Sequence, residues 1–242
     1  MTGLTLIAVA AVGGVGRTLP DPAAPRPLYA IPVAVAPTYA GRVTLRGHKL
    51  DGVKQVACAV PGVTVKVLGN ARKTSPASTL SLARTGDTEV DVELKLPKDF
   101  RGDSVPLVLT AGPRSRPFAL PVDPPGVVAE KEPNNGFAQA QKLTLPATFA
   151  GVVSGDRDVD VVQFTLAAGQ TVRVEAVTLG SPLDPTLTLW DADRHILASA
   201  DDRGGHIITF TAPRAGTYFA SVADANDQSG GLFGYRLRVT AK

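Results

Sequence analysis

The chain has 242 residues, enough for two ordinary domains that each bury a core of their own. A single cysteine, Cys58, excludes an intramolecular disulfide. A net charge of +3, from 25 basic and 22 acidic side chains, excludes the strongly basic balance of a general nucleic-acid binder. The charge is divided unevenly, with 15 basic and 9 acidic side chains in residues 1–127 against 10 and 13 in residues 128–242. The Lys and Arg of the first half sit at alternating strand positions without interleaved aromatic rings, the pattern of a solvated β surface.

Gly3 to Gly16 is an uncharged apolar run, shorter than the roughly twenty residues a membrane-spanning helix needs. It reads as a signal-like segment with small residues at Gly14 and Gly16 before Arg17, although the usual basic stretch ahead of such a core is missing. An ordinary β segment, or the start of a chain whose true beginning lies upstream, are the alternatives. Leu19 to Pro27 continues as a Pro- and Ala-rich linker, so residues 1–26 stand apart from the first domain.

Residues 27–124 read as strand after strand. In Glu89 to Leu96 the even-numbered residues are apolar and the odd-numbered ones charged, a strand with one buried and one wet face. Gly41 to Gly47, Val63 to Leu68, Ser78 to Leu82 and Val105 to Thr110 repeat the signal, separated by Gly, Pro and Asp. Cys58, within the apolar stretch Gln55 to Val60, reads as a small buried hydrophobe. Short strands at this spacing predict an all-β sandwich. The stretch from Pro32 to Val67 also resembles an immunoglobulin-like module of the TIG type, and this resemblance implies that the sandwich is immunoglobulin-like.

The junction from Pro121 to Gly126 breaks helix and strand alike, and residues 125–136 form a linker ending in Glu130-Lys131-Glu132-Pro133-Asn134-Asn135. The one helix candidate of the chain, Asn135 to Lys142, follows an Asn cap. Further on come Gly155-Asp156-Arg157-Asp158-Val159-Asp160 and the alternating strand Val161 to Leu166. After these stand the strand Thr171 to Val177, the Leu183-Asp184-Pro185 turn into Thr186 to Trp190, Ile196 to Ser199 before Asp201-Asp202, a strand ending in Asp224, and Gly234 to Val239.

In order and spacing these pieces resemble the bacterial pre-peptidase C-terminal domain, a non-catalytic β-sandwich attached to secreted proteins, and are similar to the collagen-binding domains of bacterial collagenases. The resemblance implies a second, jelly-roll-like sandwich over residues 137–242, and an all-β chain of two β-sandwich domains overall. It also implies a calcium site. Calcium takes about six to eight oxygen ligands. Glu130, Glu132 and Asp160 supply three carboxylates, Asp156 or Asp158 a fourth, and Asn134, Asn135 and a backbone carbonyl near Val152 the remainder. Asn135 stands where the relatives carry an acid, which implies a weakened site. The other reading leaves the two glutamates as solvated linker charges. Asp184, Asp201, Asp202, Asp224 and Asp227 read as turn caps.

No catalytic constellation emerges. His48, His195 and His206 are far apart in sequence, and none has a second His or a Cys at ligand spacing. Gly102-Asp103-Ser104 is similar to part of a serine-protease nucleophile motif, but Val105-Pro106 follows where glycines belong. Trp190 falls on the wetter face of its strand, where it serves either as a stacking platform for a sugar or peptide or as edge packing under a loop. The expectation is a secreted or envelope-associated monomer without catalytic residues, transmembrane segment or nucleic-acid partner, binding an extracellular polymer or protein. The alternatives are an accessory C-terminal fragment of an exported protease or other hydrolase, and a carbohydrate-binding module.

Overall fold

A computed structural model describes residues 21–76, 79–201 and 205–242; the apolar segment at 3–16 and Asp202 lie outside the described residues. The protein is all-β. Strands β1 (Arg26–Ile31), β2 (Ala40–His48), β4 (Thr64–Lys73) and β5 (Thr88–Lys95) form an antiparallel sheet in the order β1-β2-β5-β4. Strands β3 (Gln55–Cys58), β6 (Ser104–Ala111) and β7 (Arg114–Pro121) form a second sheet in the order β3-β6-β7. Lettered A to G along the chain, the two sheets run ABED and CFG, the strand order also found in seven-stranded immunoglobulin-type sandwiches. The alternation in β5 has its expected consequence: Val90, Val92 and Leu94 share one core with Leu45, Leu107 and Leu109, while Glu93 and Lys95 face solvent. Cys58 is only half-buried at the end of β3.

The strand expected at 78–82 is not formed by its described part. Residues 79–81 make a turn, and α1 (Leu82–Thr85) is a single helical turn. The carbonyls of Ser81 and Leu82 are taken by the amides of Arg84, Thr85 and Gly86, and Arg46 holds the flanking carbonyls of Ser75, Thr85 and Gly86.

Ten strands follow. β8 (Val128–Ala129), β10 (Ala147–Val152), β12 (Thr171–Val177), β15 (Ile207–Thr211) and β17 (Gly234–Ala241) form a sheet in the order β15-β12-β17-β10-β8. β9 (Gln141–Lys142), β11 (Asp160–Leu166), β13 (Pro185–Trp190), β14 (Ile196–Ala200) and β16 (Gly216–Asp224) form its partner in the order β14-β13-β16-β11-β9. The eight longer strands divide four and four as in a jelly roll, around a core that includes Phe149, Phe164, Leu187, Leu189, Phe233 and Leu237.

β8 and β9 are short parallel additions, one to each sheet. Residues 130–140 therefore pass from one sheet to the other, anchored at both ends. The helix expected from Asn135 to Lys142 is instead a turn followed by β9. Asn134 is fully buried and points inward instead of capping, and Gln141 is drawn back to the linker by bonds to Ala129 O and Lys131 N.

The two sandwiches touch through a few specific groups. Arg236 of β17 makes a bidentate pair with Asp123, at 2.7 and 2.8 Å. Gln228 Oε1 accepts from Thr79 N and Oγ1, and Val33 packs so closely on Gly234 that a Cβ there would meet it at 2.8 Å. No helix among the described residues is long and apolar enough to cross a membrane.

Candidate metal centre

Carboxylate oxygens of Glu130, Glu132 and Asp160 lie within 4.8 Å of one another. The first two come from the linker crossing and the third opens β11, so the parallel placement of β8 and β9 brings them together. The chain is fixed tightly here. Glu130 N donates to Ala150 O, and the amide of Val152 donates to Glu130 Oε2 at 3.0 Å. Asn134 donates its backbone N–H to Glu132 Oε2 at 2.8 Å and its Nδ2 to Glu130 Oε1 at 3.0 Å, while Asn134 O accepts from Val161 N. Val152 thus contributes an N–H that orients Glu130.

Asp160 is 1 % exposed, and Tyr235 donates its hydroxyl to Asp160 Oδ2 at 2.8 Å. Room for that ring exists because its cross-strand neighbour is Gly151, where a Cβ would collide with the phenol at 2.5 Å. Asp158, 4 % exposed, accepts at Oδ2 from the backbone amides of Ser154 and Gly155.

What remains unsatisfied defines the site. Asn134 Oδ1, Asp158 Oδ1 and Asp160 Oδ1 are buried and have no hydrogen-bond partner. A buried acceptor without a donor is costly; a proton shared with Glu130 would satisfy Asp160, and a bound cation could serve the others as well. The electrostatics agree. Burial pushes the Asp160 carboxyl up to about 9, helped by its hydrogen bond to Glu130 and by the charges of Glu130 and Asp158, and opposed by the Tyr235 hydroxyl. The Tyr235 phenol is pushed well above its usual range by burial and then by Asp160. The donor set is all oxygen, with several carboxylates and no sulfur or imidazole, which fits a hard divalent cation.

Of the predicted ligands, Glu130, Glu132 and Asp160 come together and Asn134 hydrogen-bonds to both glutamates, whereas Asp158 lies close enough for its charge to act on Asp160 but outside the group whose oxygens lie within 4.8 Å of one another. Asn135 is exposed, and Asp156 is exposed in a turn whose next residue, Arg157, has φ 52°. Tyr235 was missed by sequence reasoning, since a Tyr in an alternating strand carries no sign of its partner.

A second acidic group, Asp191, Asp193 and His195, also has ligand atoms within 4.8 Å of one another. It is a surface turn. Asp191 accepts from His195 N at 2.9 Å, and that bond, with the His195 ring, lowers its carboxyl below the usual range. Asp224 caps as expected, accepting from the amides of Asn226, Gln228 and Asp184. Ser104 Oγ donates to the neighbouring Asp103, and His48 bonds to Ala83 O. Trp190 lies half-buried on the outer face of its sheet, edge-on to Phe137 at 5.3 Å, with Nε1 donating to Ser221 Oγ.

The fold is that of a two-sandwich protein whose connecting segment and second sandwich jointly build an oxygen-lined acidic group that could hold a metal ion. Residues 158–224 match the family model of the bacterial pre-peptidase C-terminal domain. The matched stretch contains Asp158 and Asp160; the linker ligands and Tyr235 lie outside it.

Among solved structures, the pre-peptidase C-terminal domain of a Bacillus anthracis collagenase is 24% identical, over 42% of this chain and 94% of that one, with a TM-score of 0.35. Aeromonas hydrophila PliG, a periplasmic inhibitor of g-type lysozyme, is 14% identical over 43% and 96%, with a TM-score of 0.36. A Bacteroides ovatus mixed-linkage glucan utilization protein, SGBP-B, solved with a mixed-linkage heptasaccharide, is 11% identical over 93% and 76%, with a TM-score of 0.28. No curated protein matches the chain significantly.

Proposed function

We propose that this is a non-catalytic binding protein of the bacterial exterior or envelope, in which calcium fixes the connection between two β-sandwiches that recognise an extracellular polymer or protein. Residues 27–124 and 137–242 are its folding units and 125–136 the linker. The observation that carries the reading is the set of three buried, partnerless oxygens of Asn134, Asp158 and Asp160 beside the Glu130 and Glu132 carboxylates. The side chains of Glu130, Glu132, Asn134 and Asp160, with Asp158 nearby, would supply the oxygens, with water free to complete the shell. The ion would neutralise a crowded group of carboxylates and tie residues 130–134 to the start of β11. Asn135, turned to solvent, has no part in it.

The family match at 158–224 supports an accessory role, since the domain it describes is attached to exported proteins and does no chemistry itself. It supports equally the narrower reading that the chain serves an exported hydrolase. The experiment is a thermal melt of the whole chain in chelator, in millimolar calcium and in millimolar magnesium. Calcium is expected to raise the transition more than magnesium, whose smaller octahedral shell is dehydrated reluctantly. Coincident melts in all three would overturn the calcium reading, and hydrolysis lost in Ser104→Ala would overturn the non-catalytic one.

A further inference from the structure

The first sandwich carries a groove of about 790 Å³ at one end, where the start of β1, the end of β2, the turn after α1 and β7 meet. Arg26 opens β1 directly across from His48, Lys49 follows β2, and Arg116 comes from β7. Two carboxylates also line it, and both are engaged: Asp21 by Arg114 at 2.7 Å, Asp87 by the His48 ring at 3.5 Å. The cations are not compensated in the same way. Among the described residues neither the Arg26 nor the Arg116 guanidinium has a hydrogen bond or ion pair, and Arg116 Nε is buried without an acceptor. Lys49 Nζ spends one of its three donors on Pro22 O.

We propose that this groove binds the anionic groups of an acidic polysaccharide. An incoming carboxylate or sulfate would give the unpaired Arg26 and Arg116 guanidinium groups acceptors at the nitrogens that face the groove, in the planar two-point geometry that guanidinium offers and ammonium does not. Three features select the rest of the ligand. Pro22, Pro27 and Pro117 give the groove rigid apolar surface against which the C–H face of a sugar ring can lie. No Phe, Tyr or Trp lines it, so it has no platform for stacking bases. Asp21 and Asp87 would repel a chain charged at every unit, yet can accept from hydroxyls, which favours anions spaced along a hydroxyl-rich polymer. Strand addition is excluded by Pro27 and Pro117, which remove amide donors from the edge strands β1 and β7.

The inference extends the polymer-binding reading by naming a place and a ligand class, and it uses none of the calcium ligands. The test measures binding of the full chain to polygalacturonate and to dextran sulfate, with neutral dextran and oligothymidylate as comparators, for wild type, Arg116→Gln, and Arg116→Gln combined with Lys49→Gln. At least one acidic polysaccharide is expected to bind in a salt-sensitive way, its preference telling carboxylate from sulfate. Each lost cation should weaken that binding on the order of tenfold. An unchanged calcium response in the variants shows that they are folded, and separates failure here from failure of the calcium reading. Absence of binding to both acidic polymers, equal binding by the double variant, equal binding of neutral dextran, or tighter binding of oligothymidylate would each overturn the proposal.

Discussion

Each sandwich buries charge, and the two do so in opposite ways. In the first, Arg46 is 6 % exposed and every donor of its guanidinium is used: Nε on Thr85 O, Nη1 on Glu89 and Thr74, Nη2 on Ser75 O, Gly86 O and Thr85 Oγ1. Glu89 completes the group with Arg72 at 2.7 Å. In the second, Asp160 is 1 % exposed among carboxylates, and its Oδ1, like the Oδ1 atoms of Asn134 and Asp158, has no donor. Burial alone therefore does not distinguish a structural polar group from a functional one. The distinction lies in whether the protein satisfies the group itself or leaves the last partner to come from outside.

Removing one partner from the satisfied network should have the largest effect. Arg46→Met leaves Glu89 buried without its inner cation and frees three loop carbonyls, at a cost of about 3–5 kcal/mol. A melt of the variant should show the first sandwich destabilised equally in calcium and in chelator. A calcium-dependent loss would mean that the two charge groups are not independent.

The unsatisfied group should respond to its ion by a smaller amount. At a hundredfold excess over Kd, an ion that binds only the folded form stabilises it by about 2.7 kcal/mol, on the order of 10 °C for a domain this size. Glu132→Gln and Asp160→Asn should each abolish most of that gain while leaving the fold intact in chelator. A full calcium response in both variants would place the ion elsewhere.

The same group gives a pH signature. The Asp160 carboxyl lies at about 9 in the folded protein against 3.8 in a free chain, so without metal the folded state holds a proton that the unfolded state releases. That contribution is complete below about pH 4 and is lost as pH rises through about 9. Calcium displaces the proton, so the gap between the calcium and chelator melts should widen from pH 5 to pH 8. In Asp160→Asn the chelator melt should lose this component of its pH dependence. A gap that narrows with pH would contradict the protonated buried carboxylate.

Legibility in the sequence followed the range of the interactions. The β5 alternation of Val90, Val92 and Leu94, and the run Val161 to Leu166, are local patterns that report which face is buried, and both became strands in the expected places. Acid spacing around Glu130 and Asp160 likewise pointed to carboxylates that the fold brings within 4.8 Å of one another, because charge is visible in sequence wherever the residue lies. The turn at 79–81 could not be read, since the segments on either side of it are held by Arg46, over thirty residues earlier, at Ser75, Thr85 and Gly86. Asn134 and Asn135 are chemically identical in sequence, and only the crossing between β8 and β9 decides that one turns inward. Tyr235 depends on Gly151 across a ladder, a pairing that neither residue announces. The groove of Arg26, Lys49 and Arg116 is assembled from three separate strands or strand ends and has no sequence signature.

Trp190 offers the smallest expected effect and tests the same contrast on an exposed face. Its polar handle is satisfied, Nε1 donating to Ser221 Oγ at 3.0 Å, and one face is closed by the edge of Phe137, itself beneath Arg194 at 5.5 Å. Phe219 meets Phe137 edge-on at 5.1 Å, so the rings form a closed satellite cluster on the outer sheet. By the rule drawn from the two charge groups, this residue belongs with Arg46: its partners are supplied from within. Trp190→Phe should keep most ring contacts, lose one hydrogen bond and cost about 1 kcal/mol, seen as a small fall in the melting transition. Binding to acidic polysaccharide should not change. A stacking platform would behave differently, since Trp190→Ala would then abolish binding to a glycan while Phe137→Ala, by uncovering the indole, would strengthen it. If those two substitutions moved affinity in opposite directions, a satisfied polar handle would not be enough to mark a side chain as structural, and the ring would join the binding surface.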